Sequence, residues 1–221
     1  MKDLVIFGTG AVGRLAQQIA ADINLDTKTW NLIGFLDENI ERHDTKVNGF
    51  PVLGDVGWLK QHLRTTVVVA VGQSATRRRI VLTIRNLGYV NFATLVHPWA
   101  WVASRVSIGV GTILYPGALV DPDVKIGSHV IVNKGDTIGH DTVIGDYATI
   151  GPGVNVGGGV TIGEGCDLGI NSSTIQKISI GHWSVIGAGA VIVNDVPPNV
   201  TAVGIPARPI KERSEGWYKE F

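Results

Sequence analysis

From position 102 to position 192 an aliphatic residue stands at every sixth place, fifteen times in sixteen. The series is Val102, Ile108, Leu114, Val120, Ile126, Val132, Ile138, Ile144, Ile150, Val156, Ile162, Leu168, Thr174, Ile180, Ile186 and Ile192, and only Thr174 breaks it. Roughly a quarter to a third of positions in an ordinary chain are Ile, Leu or Val, so this register is not accidental. Four residues after most of these positions the side chain is small or β-branched, as at Thr112, Ala118, Val124, Thr142, Ala148, Val154, Cys166, Ser184 and Ala190. A period of six with one large and one small inward slot predicts a parallel β-helix of hexapeptides. Three hexapeptides close one triangular coil, and sixteen units make a little over five coils. The aliphatic ladder fills the prism, and glycines ease the corners.

The first part of the chain lacks this period. Apolar runs over 3–8, 32–36, 66–71 and 92–96 read as strands, and helical spacing covers 11–23 and 77–87. This alternation predicts a small parallel sheet with flanking helices. The residue before a proline is driven out of helix, so His97-Pro98 marks the join. The fold class is therefore an α/β Rossmann-like domain over 1–96, then an all-β parallel β-helix over 97–221 with a short C-terminal tail.

Composition narrows the classes. Nineteen Lys plus Arg balance nineteen Asp plus Glu, so no basic face points to nucleic acid. No stretch reaches the roughly 20 apolar residues of a membrane helix, and the first residues lack a signal-peptide pattern. With a single cysteine, Cys166 in a small inward slot, the expectation is a cytoplasmic protein that binds no membrane. The six histidines (His43, His62, His97, His129, His140, His182) show no metal-ligand spacing, so no metal is expected.

Two places carry candidate chemistry. Gly8-Thr9-Gly10-Ala11-Val12-Gly13 follows a strand, opens a helix and is trailed by Asp37 at the end of the second strand. Such a turn lets backbone N–H groups and a helix N-terminus meet a pyrophosphate. NAD and a nucleotide-diphosphate sugar both carry one, and a purely structural tight turn is the third reading. The domain is short for a full dinucleotide site. In the second place, His140 takes the third position of its hexapeptide, beside a corner, where a side chain projects off the prism. Histidine is the side chain suited to act as a base near neutral pH. Asp141 follows it, and Asp136 is a rival orienting partner because an acid in a small slot needs an explanation.

The chain resembles the hexapeptide-repeat acyltransferases, and among them the nucleotide-amino-sugar N-acetyltransferases of the bacillosamine pathway and the related sialic acid O-acetyltransferases. The likeness rests on the Gly-rich turn, GFLD (34–37), VAVG (69–72), LVHP (95–98), IGHD (138–141), LGINS (168–172) and VGIPAR (203–208), in that order. It implies a left-handed β-helix and a homotrimer with active sites between neighbouring prisms. Acetyl-CoA is the implied co-substrate, and a nucleotide-linked amino sugar, with UDP as the nucleotide, the acceptor. It implies His140 as general base, with Asp141 raising its basicity and the Gly158 N–H stabilising the oxyanion. Cofactor contacts fall on Thr149, Gly158, Ile170 and Ala188, and sugar-nucleotide contacts on Gly8, Gly10, Asp37, Glu38 and Gly72. Many relatives carry a histidine where this chain has Val12, which leaves the sugar undetermined. The same scaffold also admits sugar O-acetylation or nucleotide-sugar binding without catalysis.

Blander expectations attach to the remaining features. His97 reads as a junction residue, His182 as surface on a different wall from His140, and Arg77, Arg78 and Arg79 as a solvated helix face. Trp99 and Trp101 read as caps on the open prism end, and the tail 211–221 as a cover for the other end or a frayed segment.

Overall fold

The structure is a computed structural model that describes residues 1–89 and 91–221. β1 (Lys2–Phe7) is apolar along its inner run, and its residues from Leu4 onward are buried. It pairs in parallel with β2 (Trp30–Leu36) and, after the small hairpin of β3 (Lys46–Val47) and β4 (Phe50–Pro51), with β5 (Thr66–Val69), in the order β2-β1-β5. Helix α1 (Ala11–Asp26) makes the crossover from β1 to β2, and α2 (Ser74–Asn86) follows β5. Both helices outrun the sequence reading, α1 at its end and α2 at its start, and the hairpin gave no pattern long enough to be noticed.

The hexapeptides form three walls of parallel two-residue strands. The first wall stacks Trp101–Val102, Leu119–Val120, Thr137–Ile138, Asn155–Val156, Ser173–Thr174 and Val191–Ile192. The second runs from Ser107–Ile108 to Ser179–Ile180. The third starts at Leu95–Val96 and passes through Thr149–Ile150 and Asp167–Leu168 to Val185–Ile186. Partners lie eighteen residues apart, as in Lys125↔Val143 and Thr149↔Asp167, so three hexapeptides make one coil. The aliphatic ladder and the small slots make one continuous buried cluster.

Leu95–Val96 pairs with Ile113–Leu114. The expected last strand of the α/β sheet serves both domains: Phe92 bridges in parallel to Val67 on β5, and Leu95–Val96 is the first rung of the third wall. Trp99 and Trp101 remain 79% and 54% exposed and cap nothing within the chain. Val96, Ala100, Val102 and Val106 close that end of the core. At the other end Val200, Ala202 and Ala207 pack on the core. Val200–Val203 pairs antiparallel with Arg208–Glu212, and Tyr218 then stacks on Trp183 at 3.8 Å beside α2.

The α/β domain sits on the third wall through a polar junction. Arg77 is wholly buried, not solvated. Its Nε donates to the His129 carbonyl (2.8 Å), Nη1 to the carbonyls of Val71 (2.6 Å) and Gly72 (2.9 Å), and Nη2 to Tyr147 (2.6 Å) and Ala148 (3.1 Å). Burial pulls its pKa down to about 10, so it remains a cation at neutral pH. Ser74 adds a hydrogen bond to Asp167 at 2.6 Å. His97 lies at the join, 3.0 Å from Asp22 on α1.

Candidate active site

His140 stands at the corner between the first and second walls. The strand Thr137–Ile138 delivers it, and Gly139 lets the chain turn, because a Cβ there would lie 2.6 Å from the Gly158 nitrogen on the next coil. Asp141 takes a left-handed conformation, φ 59°, tolerated by Asp. Its carboxylate thereby meets the preceding ring, with Nδ1 and Oδ2 2.7 Å apart. A carboxylate only accepts, so Nδ1 carries the hydrogen and the neutral ring keeps its lone pair on Nε2. The His140 side chain is 65% exposed. Nε2 faces Gly158, where a Cβ would lie 2.6 Å from it. Among the described residues no acceptor is paired with the Gly158 N–H. A base and a free backbone donor thus share one corner.

Thr174, the break in the aliphatic series, explains part of this geometry. The Gly157 N–H donates to the Thr174 hydroxyl at 2.9 Å. On neighbouring coils the equivalent N–H reaches a backbone carbonyl, as Gly139 does to Val156. The hydroxyl pins the coil beside Gly158. The break in the aliphatic series is the sequence signal for this contact.

Asp136 does not reach His140. It is wholly buried and accepts the backbone N–H groups of Asn133 and Val154, which explains an acid in a small slot. Burial raises its carboxyl to about 7 against those hydrogen bonds.

At the other candidate site, Gly8 has φ 108°, and a Cβ on it would lie 2.8 Å from the Ala70 carbonyl oxygen. A Cβ on Gly13 would collide with the Gly8 carbonyl, so helix and turn can close only on glycine. Gly10 is open and starts α1 as an N-cap without a side-chain hydrogen bond, leaving N–H groups for an anion. Asp37 Oδ2 accepts from Thr9 N (2.9 Å) and Thr9 Oγ1 (2.6 Å), and Oδ1 accepts from Asn39 N at 3.0 Å. Burial works to raise its pKa, but the bonds from Thr9 and Asn39 and the charge of Arg42 outweigh this and hold it below the usual carboxylate value. Thr9 is a turn residue that sequence reasoning passed over. Gly72 packs beside Val12, whose Cγ2 would lie 3.4 Å from an added Cβ. Glu38 is gripped by Arg79 through two 2.6 Å contacts.

The structure does not gather all expected residues within one chain. Gly158 lies under His140. Ile170 and Ala188 are exposed at the corner between the third and first walls. The Thr149 hydroxyl is held in the junction, accepting from Arg77 at 2.9 Å and donating to the Gly72 carbonyl at 2.9 Å. The nucleotide turn belongs to the domain on the third wall, and the His140 corner is the one corner that the third wall does not form. His182 is exposed at the corner between the second and third walls, apart from His140. Among the described residues, no three His, Cys, Asp or Glu stand together as metal ligands, and no helix is long and apolar enough to cross a membrane.

Two family descriptions match the chain, the PglD N-terminal domain over residues 3–84 and the bacterial transferase hexapeptide over 141–172. The acetyltransferase domain of PglB from Neisseria gonorrhoeae, solved in complex with acetyl coenzyme A, is 33% identical over 95% of this chain and 99% of that one, with a TM-score of 0.86. The chain belongs to the hexapeptide-repeat acyltransferases of the nucleotide-amino-sugar N-acetyltransferase type. Perosamine N-acetyltransferase from Caulobacter crescentus, solved with CoA and GDP-perosamine, is 27% identical over 96% of this chain and 98% of that one, with a TM-score of 0.87. The β-helix is the left-handed form of this family. The galactoside O-acetyltransferase of Escherichia coli is 54% identical over 35 residues, and the match spans 17% of its length.

Proposed function

We propose that the chain transfers the acetyl group of acetyl-CoA to the amino group of a nucleotide-linked amino-deoxy sugar, with His140 as general base in a cleft between neighbouring chains of a homotrimer. The supporting observation is the exposed corner where Asp141 fixes Nδ1 and leaves Nε2 free above the Gly158 N–H. The amine nitrogen bonds to the thioester carbonyl carbon as Nε2 takes one of its protons. The carbonyl oxygen, now an oxyanion, accepts from the Gly158 N–H. The C–S bond then breaks, and the imidazolium returns the proton to the departing CoA thiolate. General-base catalysis of this kind is worth about 10²–10⁴-fold, and one backbone oxyanion donor about 10²–10³-fold.

A trimer is supported by the separation within one chain. The nucleotide turn and the Ile170 and Ala188 contacts lie away from the His140 corner, so a neighbouring chain must bring them to it. Asp141 stabilises the imidazolium that forms. Gly10 offers its N–H to the diphosphate, Gly8, whose own N–H donates to the Leu36 carbonyl at 2.8 Å, lets the turn close beneath it, and Asp37 holds the turn through Thr9. Gly72 borders the same turn, and Glu38 faces the base or ribose from its pairing with Arg79. We take the nucleotide to be UDP. The second reading, O-acetylation of a sugar hydroxyl by the same base, draws support from the segment shared with galactoside O-acetyltransferase.

Free CoA release from acetyl-CoA, measured against UDP-linked and GDP-linked amino sugars and their hydroxyl counterparts, tests this reading. Turnover of an amino sugar at least tenfold above its hydroxyl counterpart is the expected result. Turnover of hydroxyl sugars alone establishes O-acetylation, and binding without CoA release from any acceptor rules out catalysis.

A further inference from the structure

Positions 105, 123, 141, 159 and 177 occupy one corner of five successive coils. Arg105, Asp123, Asp141, Gly159 and Lys177 all take the left-handed backbone, with φ of 63°, 63°, 59°, 68° and 57°. The strands that follow them pair in register, Ser107 with Lys125 and Lys125 with Val143. Consecutive rungs of such a ladder stand about 4.8 Å apart. The Arg105 guanidinium grips the Asp123 carboxylate bidentately through one edge, Nε to Oδ1 at 2.7 Å and Nη2 to Oδ2 at 2.6 Å. The next rung is Asp141, the carboxylate that fixes His140.

A bare carboxylate at 123 would stand one rung from Asp141 and repel it. A free guanidinium at 105 would compete with His140 for Asp141. We infer that Arg105 and Asp123 are positioning residues for the base: their mutual pairing leaves Asp141 turned to His140 and its charge unopposed. This rests on His140 acting as the base. The other charged groups around the corner are Asp121, one coil before Gly139, and Lys125, beside Val143 on the second wall. Lys177 lies beyond Gly159, its Cγ 3.4 Å from where a Cβ on that glycine would stand. The Arg105 and Asp123 side chains are 67% and 42% exposed, so their influence is modest and salt-sensitive.

The test is the pH profile of kcat/KM for CoA release, recorded at low and high salt for the wild type, Arg105→Ala, Asp123→Ala and the double variant. Arg105→Ala leaves Asp123 unneutralised and favours the imidazolium, so the acidic limb moves up by about half a pH unit at low salt and less at high salt. Asp123→Ala frees Arg105 to draw Asp141 away. The limb then moves down by a similar amount, and kcat falls severalfold. The double variant returns close to the wild-type profile, and all four proteins melt within about 2 °C of one another. Single-variant profiles that overlay the wild type within about 0.1 pH unit overturn the inference, as does a double variant whose kcat stays as low as that of Asp123→Ala. A wild type that releases no CoA, or whose acidic limb survives His140→Ala, instead overturns the function proposed above, and this inference with it.

Discussion

Two polar clusters in this molecule use similar side chains for opposite ends. At the domain junction, Arg77 is wholly buried and its donors are met by carbonyls from both domains. At the His140 corner the side chain is 65% exposed and makes one hydrogen bond, to Asp141. The junction spends its polar groups on cohesion. The corner keeps one lone pair and one backbone N–H unspent, as a reacting centre requires. On the proposed reading, what separates a lock from a catalyst is the number of groups left without an internal partner at a reachable surface.

The largest expected effect comes from breaking the lock. Arg77→Met leaves the carbonyls of Val71, His129 and Tyr147 buried without their donor. It should cost about 3–5 kcal/mol of stability in denaturant unfolding, with acetyl transfer per folded molecule nearly unchanged. A loss below about 1 kcal/mol would mean that the junction is held by its apolar contacts.

Gly158→Ala probes the open side. The new methyl would stand 2.6 Å from His140 Nε2 and displace the ring. A fall of about 30–100-fold in kcat, or about 2–2.7 kcal/mol, is expected with the melting temperature little changed. Full activity in this variant would mean that Nε2 does not work above Gly158.

The smallest effect sharpens the comparison from within the buried side. His129 is wholly buried beside Tyr147, with neither ring nitrogen hydrogen-bonded among the described residues. Burial, aided by Arg85 and Arg77, pulls its pKa down to about 3. The unfolded chain therefore binds the extra proton first, and the folded state loses stability as pH falls below about 6.5. Asp136, pushed up to about 7 by burial, acts in the opposite sense. Its contribution is complete below the unfolded value near 4 and disappears as pH rises through about 7. The wild type should therefore show a nearly flat profile between pH 4 and 6.5. His129→Phe should gain about 2 kcal/mol on the wild type between pH 7 and pH 5, read as the pH dependence of the difference in unfolding free energy. A constant difference across that range would mean that His129 is not held neutral by its surroundings.

The sequence made the β-helix legible because a six-residue period is a local property repeated along the chain. His140 followed from the same register, since a third position faces outward wherever the coil turns. The junction was hidden for the opposite reason. Arg77 is buried by Tyr147 and Thr149, about seventy residues away, and no local pattern announces that contact. Asp136, an acid in a small slot, holds backbone N–H groups rather than His140, and the Thr149 hydroxyl is engaged at the domain junction. Thr174 was visible as a flaw in the series, but its use became clear only once Gly157 was seen donating to it.

The central claim is that a solvent-reachable imidazole, fixed by Asp141, deprotonates the acceptor. The most direct measurement is single-turnover CoA release by His140→Ala at saturating acetyl-CoA and nucleotide amino sugar, with the binding of both ligands measured on the same protein. The account predicts a rate lowered by about 10²–10⁴-fold with both affinities kept within a few fold. A His140→Ala protein that turns over at the wild-type rate would contradict it.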